Sequence, residues 1–193
     1  MHIIKMYFWK QNKMEKLLLH SCCAPCSTVP LEMLAEKYEV TFFYYNPNIE
    51  NKKEYEKRYL ELKKYLSLSN RKIKLIKEKY KPKVFLELVT GLETEKEGAK
   101  RCYKCYELRI GRASKYAKEN NYDLFGTTLS TSPHKNINYI HKIGKGLATK
   151  YELSYLDIDF KKNDGFKKSV LLSKENNLYR QNFCGCIYSK RNS

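Results

Sequence analysis

Short apolar runs alternate along the chain with longer stretches in which apolar residues recur at helical spacing. Runs bounded by polar or turn-forming residues, which are typical of buried strands, occupy positions 16–20, 40–45, 73–76, 122–129 and 155–159. Apolar residues three or four positions apart predict helices at 28–38, 50–68, 83–89, 98–119, 136–150 and 165–177. Strands that alternate with helices indicate βαβ units, so we predict an α/β fold with a mainly parallel sheet and flanking helices.

The length and composition fit one folded domain. A chain of 193 residues with 13% aromatic residues has the size of one domain and enough large side chains to form a core. We predict a single domain at residues 16–193, preceded by an N-terminal extension at 1–15. The longest apolar runs fall short of the roughly 18 residues of a membrane span, and the run at 6–9 is too short for a signal peptide. We therefore expect a cytoplasmic protein without a membrane partner.

The charge of the chain is strongly positive. Lys and Arg together number 38 against 21 acidic residues, which gives a net charge of +17. The excess is uneven, because positions 51–83 hold 13 basic residues and 4 Glu. A basic surface of this kind favours a nucleic-acid partner over a merely lysine-rich composition.

The seven cysteines fall into three tight groups. These are Cys22-Cys23-x-x-Cys26, Cys102-x-x-Cys105 and Cys184-Gly185-Cys186. Reduced thiols are the norm in the cytosol, so a structural disulfide framework is not expected there. Tight grouping instead indicates metal or redox chemistry.

The first two cysteine groups allow more than one metal chemistry. Cys22 and Cys23 with Cys102 and Cys105 supply four thiolates for an iron–sulfur cluster. Cys26 offers an alternative, because two C-x-x-C pairs also fit a tetrahedral zinc site. Cys23-Ala24-Pro25-Cys26 between a strand and a helix also matches a thioredoxin-like redox motif, although such a fold has mixed strands. From spacing alone, these alternatives stay open.

Basic residues flank the middle cysteine pair. Arg101 and Arg109 lie on the predicted helix that carries Cys102 and Cys105, and they would lower the pKa values of the thiols. We also predict both arginines as substrate contacts.

The third cysteine group has a different character. A disulfide between Cys184 and Cys186 would close a very small ring, and such a bond departs from relaxed geometry and is easily reduced. We therefore predict a redox-active pair, with two further metal ligands as the alternative.

A polar segment after the fourth strand predicts an anion site. It runs from Thr127 to Asn136 and includes Ser130, Ser132, His134 and Lys135. Ser132 is the predicted N-cap of the next helix, with Pro133 as its first residue. Backbone N–H groups at a helix start, together with a lysine, suit a phosphate.

These motifs, taken in order, resemble the cobalamin-independent epoxyqueuosine reductases, the QueH family. The resemblance extends over 16–188 and rests on four segments at 20–26, 101–109, 127–136 and 184–186. It implies a Rossmann-like fold similar to the nucleotide α-hydrolases, with the cysteine turn in place of the nucleotide-binding glycine loop. It also implies a metalloenzyme that reduces the epoxide of epoxyqueuosine at the wobble position of tRNA.

The resemblance further implies the cofactor and the roles of the cysteines. Cys22, Cys23, Cys102 and Cys105 match the ligands of a [4Fe-4S] cluster, and Cys184 and Cys186 match a redox-active disulfide. A second iron beside the cluster also occurs in the family, with Cys26, Asp157 and the tail cysteines as its candidate ligands here.

The chemistry of the reaction implies its remaining participants. We expect His134 to be the proton donor. Ser130, Ser132 and Lys135 are expected to contact the substrate beside the two arginines. The expected partners are the anticodon stem-loop of tRNA and an unidentified electron donor.

Overall fold

Strands and helices alternate along the part of the chain that the structure, a computed structural model, describes: residues 14–70 and 72–189. The strands are β1 (Lys16–Ser21), β2 (Glu39–Tyr44), β3 (Lys74–Lys77), β4 (Leu124–Thr127) and β5 (Ser154–Tyr155). The α-helices are α1 (Ala24–Leu34), α2 (Lys52–Ser67), α3 (Pro82–Leu88), α4 (Lys100–Glu119), α5 (Ile137–Tyr151) and α6 (Gly165–Glu175). Short 3-10 helices span Thr128–Thr131 and Ile187–Ser189.

The five strands form one parallel sheet in the order β3-β2-β1-β4-β5. The chain builds outward from β1 to β3, then crosses to β4 on the other side of β1. Ligands of open parallel sheets bind where the strand order reverses in this way, beyond the carboxyl ends of the strands. The predicted α/β class is therefore confirmed, and the switch point lies between β1 and β4.

The sheet is covered on both faces. Leu17 and Leu19 of β1 belong to one buried cluster, and Leu18 belongs to another on the opposite face, because successive side chains of a strand alternate. Burial on both faces explains why the strands are continuous apolar runs rather than alternating ones. The all-parallel arrangement also argues against the thioredoxin-like alternative, which needs mixed strands.

Helix α1 begins at Ala24, four residues before the predicted start, and ends at Leu34. Pro25 lies in its first turn, where a missing N–H has no consequence, and Cys23 is the residue that precedes the helix. Pro30 inside the helix leaves the carbonyl of Cys26 without its usual helical donor. The hydroxyl of Thr131 donates to that carbonyl instead (3.0 Å), so the proline ties α1 to the segment after β4.

Strand β5 is shorter than predicted. It pairs only at Ser154 and Tyr155, after which the amide of Leu156 still donates to Phe125 (2.9 Å). The amide of Ile158 then donates to the carbonyl of Leu156 (3.0 Å), so the chain turns away from the ladder. The predicted extension at 1–15 lies almost wholly outside the described residues. Among the helices of 14–70 and 72–189, none is both long and apolar enough to cross a membrane.

Candidate metal and redox site

The turn between β1 and α1 brings three thiols together. The Sγ atoms of Cys22, Cys23 and Cys26 all lie within 4.8 Å of one another, and those of Cys22 and Cys23 are 3.7 Å apart. Two thiolates on one tetrahedral metal at about 2.3 Å are roughly 3.8 Å apart, so the spacing fits ligands of a single ion. No other group of three or more His, Cys, Asp or Glu meets this condition within the described residues.

A network of buried polar side chains fixes this turn. His20, at the end of β1, donates from Nε2 to the carbonyl of Tyr45 (3.1 Å) and accepts at Nδ1 from the hydroxyl of Thr127 (2.9 Å). Complete burial and the nearby Arg109 guanidinium lower the pKa of His20 to about 3, so the ring is neutral. Asn46 donates to the carbonyl of Ser21 (3.0 Å), directly before the cysteines. The turn is therefore locked to β4 and to the segment after β2.

The other four cysteines line a second, enclosed cavity of about 20 Å³. Cys102 and Cys105 reach it from the first turns of α4, and Cys184 and Cys186 reach it from the tail. The amide of Gly98 donates to the sulfur of Cys102 (3.2 Å). The tail pair therefore faces the middle pair, an arrangement that sequence spacing did not predict.

Arg109 connects the two groups of thiols. Its Nη2 donates to Oδ1 of Asn46 (2.6 Å), and its Nη1 lies 3.9 Å from the sulfur of Cys105. Burial lowers the pKa of Arg109, but the negative charges of Cys105, Cys22 and Cys184 outweigh it and raise the pKa above its usual value. A guanidinium that is 1% exposed needs acceptors around it, and here Oδ1 of Asn46 and the sulfur of Cys105 face it.

The thiols differ in acidity according to their surroundings. Hydrogen bonds from Cys22 and Cys26 hold the pKa of Cys23 well below its usual value, and Nε2 of Gln181 donates to the same sulfur (3.0 Å). Burial instead raises the pKa of Cys105 to about 12 and that of Cys186 to about 11. Cys23 is therefore the thiol most ready to bind a metal as a thiolate.

Buried polar atoms without a partner in the described residues surround these thiols. They include Nε of Arg109, the hydroxyl of Tyr106 and Oε1 of Gln181. Buried polar groups are nearly always satisfied, so the two orphaned donors among these atoms, Nε of Arg109 and the hydroxyl of Tyr106, indicate room for an anionic group. The donor set and these orphaned atoms fit an iron–sulfur group held by thiolates.

A larger cavity of about 230 Å³ opens at the carboxyl ends of β1 and β4. Cys22 and Cys26 line it on one side, and Cys184, which also lines the enclosed cavity, lies on another. Polar side chains complete its wall: Ser132, His134, Lys135, Arg180, Gln181 and Asn182. A substrate in this cavity would therefore meet sulfur, cations and hydrogen-bond donors together.

The predicted substrate contacts divide between this cavity and structural positions. Ser132, His134, Lys135 and Arg109 line the cavity. Lys135 is paired there with Glu97, whose carboxylate lies 3.0 Å from Nζ. The role of each as a substrate contact stays a prediction.

Ser130 and Arg101 make contacts within the protein. The hydroxyl of Ser130 donates to the carbonyl of Ile158 (2.9 Å). Nη1 of Arg101 donates to the carbonyls of Leu92 (3.0 Å), Glu93 (2.9 Å) and Glu95, and the side chain lines the enclosed cavity. Both residues therefore fix the loops beside the site, and their predicted contact with substrate is untested.

The predicted helix start at Ser132 and Pro133 is wrong. Ser132 ends the 3-10 helix after β4, and the N-cap of α5 is Asn136, whose side chain accepts from the amide of Tyr139 (3.2 Å). The first part of the polar segment forms the 3-10 helix Thr128–Thr131, and α5 begins only at Ile137.

Asp157, a predicted candidate ligand of a second iron, lies against α5. Its carboxylate is paired with His141 (2.5 Å) and Lys145 (2.6 Å). Those two side chains account for its oxygens, and it does not line either cysteine cavity.

The comparisons with known proteins show which family the chain belongs to. A family model described as epoxyqueuosine reductase QueH matches residues 17–192. The chain belongs to the QueH family. A Staphylococcus epidermidis protein named epoxyqueuosine reductase QueH is 37% identical over 188 residues, which cover 94% of this chain and 79% of the relative. A Thermotoga maritima protein of the same name is 34% identical over 179 residues, or 91% of each chain. The resemblance found in the sequence is thereby confirmed.

Sequence reasoning missed several residues that shape the site. Asn46, Gln181 and Arg58 act through hydrogen bonds to atoms far away in the chain. Nothing in their local sequence distinguishes them from ordinary polar residues. Gly185, between two cysteines, was the one local hint that the tail turn needs an unusual backbone.

Proposed function

We propose that this protein is an epoxyqueuosine reductase, which converts epoxyqueuosine at the wobble position of tRNA to queuosine. The observation that carries the proposal is that six of the seven cysteines line two adjoining cavities at the switch point of the sheet, and the seventh, Cys23, lies within 4.8 Å of two of them. Membership of the QueH family supplies the substrate, since the relatives carry that activity in their names.

The cofactor in this proposal is a [4Fe-4S] cluster held by Cys22, Cys23, Cys102 and Cys105, with a second iron beside it. The acidic thiol of Cys23 and the orphaned donors around Arg109 support a bound anionic group. The separations within the triad suit a single ion, which supports Cys26 as a ligand of the second iron. When bound, such iron supplies single-electron transfer and Lewis acidity.

The tail pair supplies the remaining chemistry. Removal of the epoxide oxygen consumes two electrons and two protons and yields an alkene and water. Oxidation of the two thiols of Cys184 and Cys186 to a disulfide releases two electrons and two protons, so the reaction balances without another reactant. A reductant outside the protein then restores the dithiol. Cys184 lines both cavities, which supports this role.

The side chains around the larger cavity bind and orient the substrate. Lys135 and Arg109 present positive charge, and the position of His134 in the wall of the cavity supports its role as the proton donor. A tRNA partner agrees with the net charge of +17, because phosphate contacts by lysine dominate such binding. Reduced thiols and a tRNA substrate both fit the cytoplasm.

Two measurements on protein purified without oxygen test the proposal. We expect iron and sulfide in the ratio of a four-iron cluster, and conversion of epoxyqueuosine in tRNA without added cobalamin. If the analysis found zinc and no sulfide, the cysteines would form a zinc site rather than hold an iron–sulfur cluster. A loaded cluster and tight tRNA binding without turnover, with any reductant, would make the protein a tRNA-binding module instead.

A further inference from the structure

The tail turn Cys184-Gly185-Cys186 lies outside regular secondary structure, yet its backbone is held at three consecutive residues. Nη1 of Arg58 donates to the carbonyl of Cys184 (2.9 Å), and Nη2 donates to that of Phe183 (3.4 Å). The amide of Glu50 donates to the carbonyl of Gly185 (2.8 Å). All three hydrogen bonds come from the start of α2 and the loop before it, far away in the chain.

Arg58 is itself fixed in place. Its side chain is 2% exposed, and its Nε donates to Glu54 one helical turn earlier (2.6 Å). The hydroxyl of Tyr179 also donates to that carboxylate (3.3 Å), and the ring of Phe183 lies 5.1 Å from the guanidinium. A buried arginine is costly unless its donors are satisfied, and here carbonyls of the tail satisfy two of them.

The glycine between the cysteines packs directly on this arginine. Gly185 has a φ of +105°, which L side chains rarely adopt. A Cβ at this position would lie 2.9 Å from Nη1 of Arg58 and 3.1 Å from Ile49. The turn and the guanidinium therefore fit each other without space for a side chain.

We propose that Arg58 is a positioning residue, which holds the tail turn so that Cys184 stays at the border of the two cavities. Without the guanidinium, the carbonyls of Phe183 and Cys184 lose their donors, and the turn opens toward solvent. The consequence for turnover rests on the proposed function, but the consequence for the turn itself does not.

Hydrogen exchange of the backbone amides, followed by mass spectrometry on the reduced full-length protein, tests the proposal without substrate. In Arg58→Met we expect the amides of Glu50 and Ser189, which donate to the carbonyls of Gly185 and Cys186, to exchange at least about tenfold faster, because the turn that carries those carbonyls loses its hydrogen bonds to a charged group. Exchange in β1 and β4 should not change. Arg58→Lys should lie between the two, because an ammonium offers no planar fork. Lys64→Met, an exposed residue of the same helix, is the matched control and should match wild type.

Kinetics on the loaded protein provide a second readout. We expect Arg58→Met to lower kcat about tenfold, while KM for tRNA and the iron content stay within roughly twofold. Unchanged exchange in the tail, or equally faster exchange throughout the sheet, would overturn the proposal. A fall in kcat that follows a loss of iron would also overturn it, as would an effect on KM alone. An inactive wild-type protein would disprove the proposed function but leave the exchange contrast intact.

Discussion

The cysteine turn after β1 and the cysteine turn at residues 184–186 border the same cavity, but different parts of the chain hold them. The first follows the central strand, which is paired in register with β2 and with β4. Its neighbour His20 spans both sides through hydrogen bonds to Tyr45 and Thr127. The second turn belongs to no ladder and depends on Arg58, which lies 126 positions away.

Because of this difference, substitutions at the two turns should change different properties of the protein. The first turn shares the hydrogen bonds and the core of the sheet, so it should stay in place as long as the domain is folded. The second turn depends on hydrogen bonds from Arg58 and Glu50, which lie outside the sheet. We therefore expect changes at the first turn to affect cofactor binding and folding, and changes at the second to affect turnover alone.

Replacement of single cysteines should give the largest contrast. We expect Cys22→Ser, Cys23→Ser, Cys102→Ser and Cys105→Ser to lose most of their iron and sulfide, and with them part of their stability, because cofactor binding is coupled to folding. Cys184→Ser and Cys186→Ser should keep both but lose turnover. Iron and sulfide counts on all six proteins measure this. The assignment fails if the tail variants lose the cluster while a Cys22 or Cys23 variant keeps it.

Substitution of His20 should have the second largest effect, which is a loss of stability. In metal-free His20→Leu, the carbonyl of Tyr45 and the hydroxyl of Thr127 lose a buried partner, and each such group costs about 1–3 kcal/mol. Urea denaturation measures the free energy of unfolding. Thr127→Val removes the bond to His20 and also the acceptor of the Leu129 amide (3.2 Å), so it should cost a similar amount. Equal stability of His20→Leu and wild type would contradict the view that the sheet secures the first turn.

The sequence predicted the first turn much better than the second. A continuous apolar run predicted β1 and the grouped cysteines marked the turn after it, because both are local features, although the helix was predicted to start at 28 rather than at Ala24. The location of the tail depends on Arg58 and Gln181, whose partners are 126 and 158 positions away. A single sequence contains no local feature that marks such pairs. For the same reason, the sequence did not predict that Cys184 and Cys186 lie opposite Cys102 and Cys105.

Substitution of Gly185 should have a smaller effect, confined to the tail. Gly185→Ala places a Cβ against Arg58 at a positive φ, so we expect slower turnover. The free energy of unfolding should fall by no more than about 1 kcal/mol, which is near the cost of alanine in that backbone conformation. Gly146→Ala on α5 is a suitable control, because nothing lies within 4 Å of the added Cβ. A large loss of stability would show that the tail is part of the core.

The lysines of α2 should give the smallest effect, and they test the other face of the helix that carries Arg58. Lys53, Lys63 and Lys64 are exposed there. Each lysine that contacts a phosphate should contribute about 0.7–0.9 to the slope of log affinity for tRNA against log salt. Replacement of all three by Gln should flatten the slope by that sum. An unchanged slope would mean that this face does not contact RNA.

The position of the tail in the chain also imposes an order in time. Every strand of the sheet is complete at Tyr155, whereas the residues that close the cavities are 34 positions further on, at 189. At about 5–20 residues per second, a ribosome needs roughly 2–7 s to make that segment. The five cysteines after β1 and on α4 are therefore synthesised before the tail pair, and the tail can reach its place beside them only after the rest of the domain has been made.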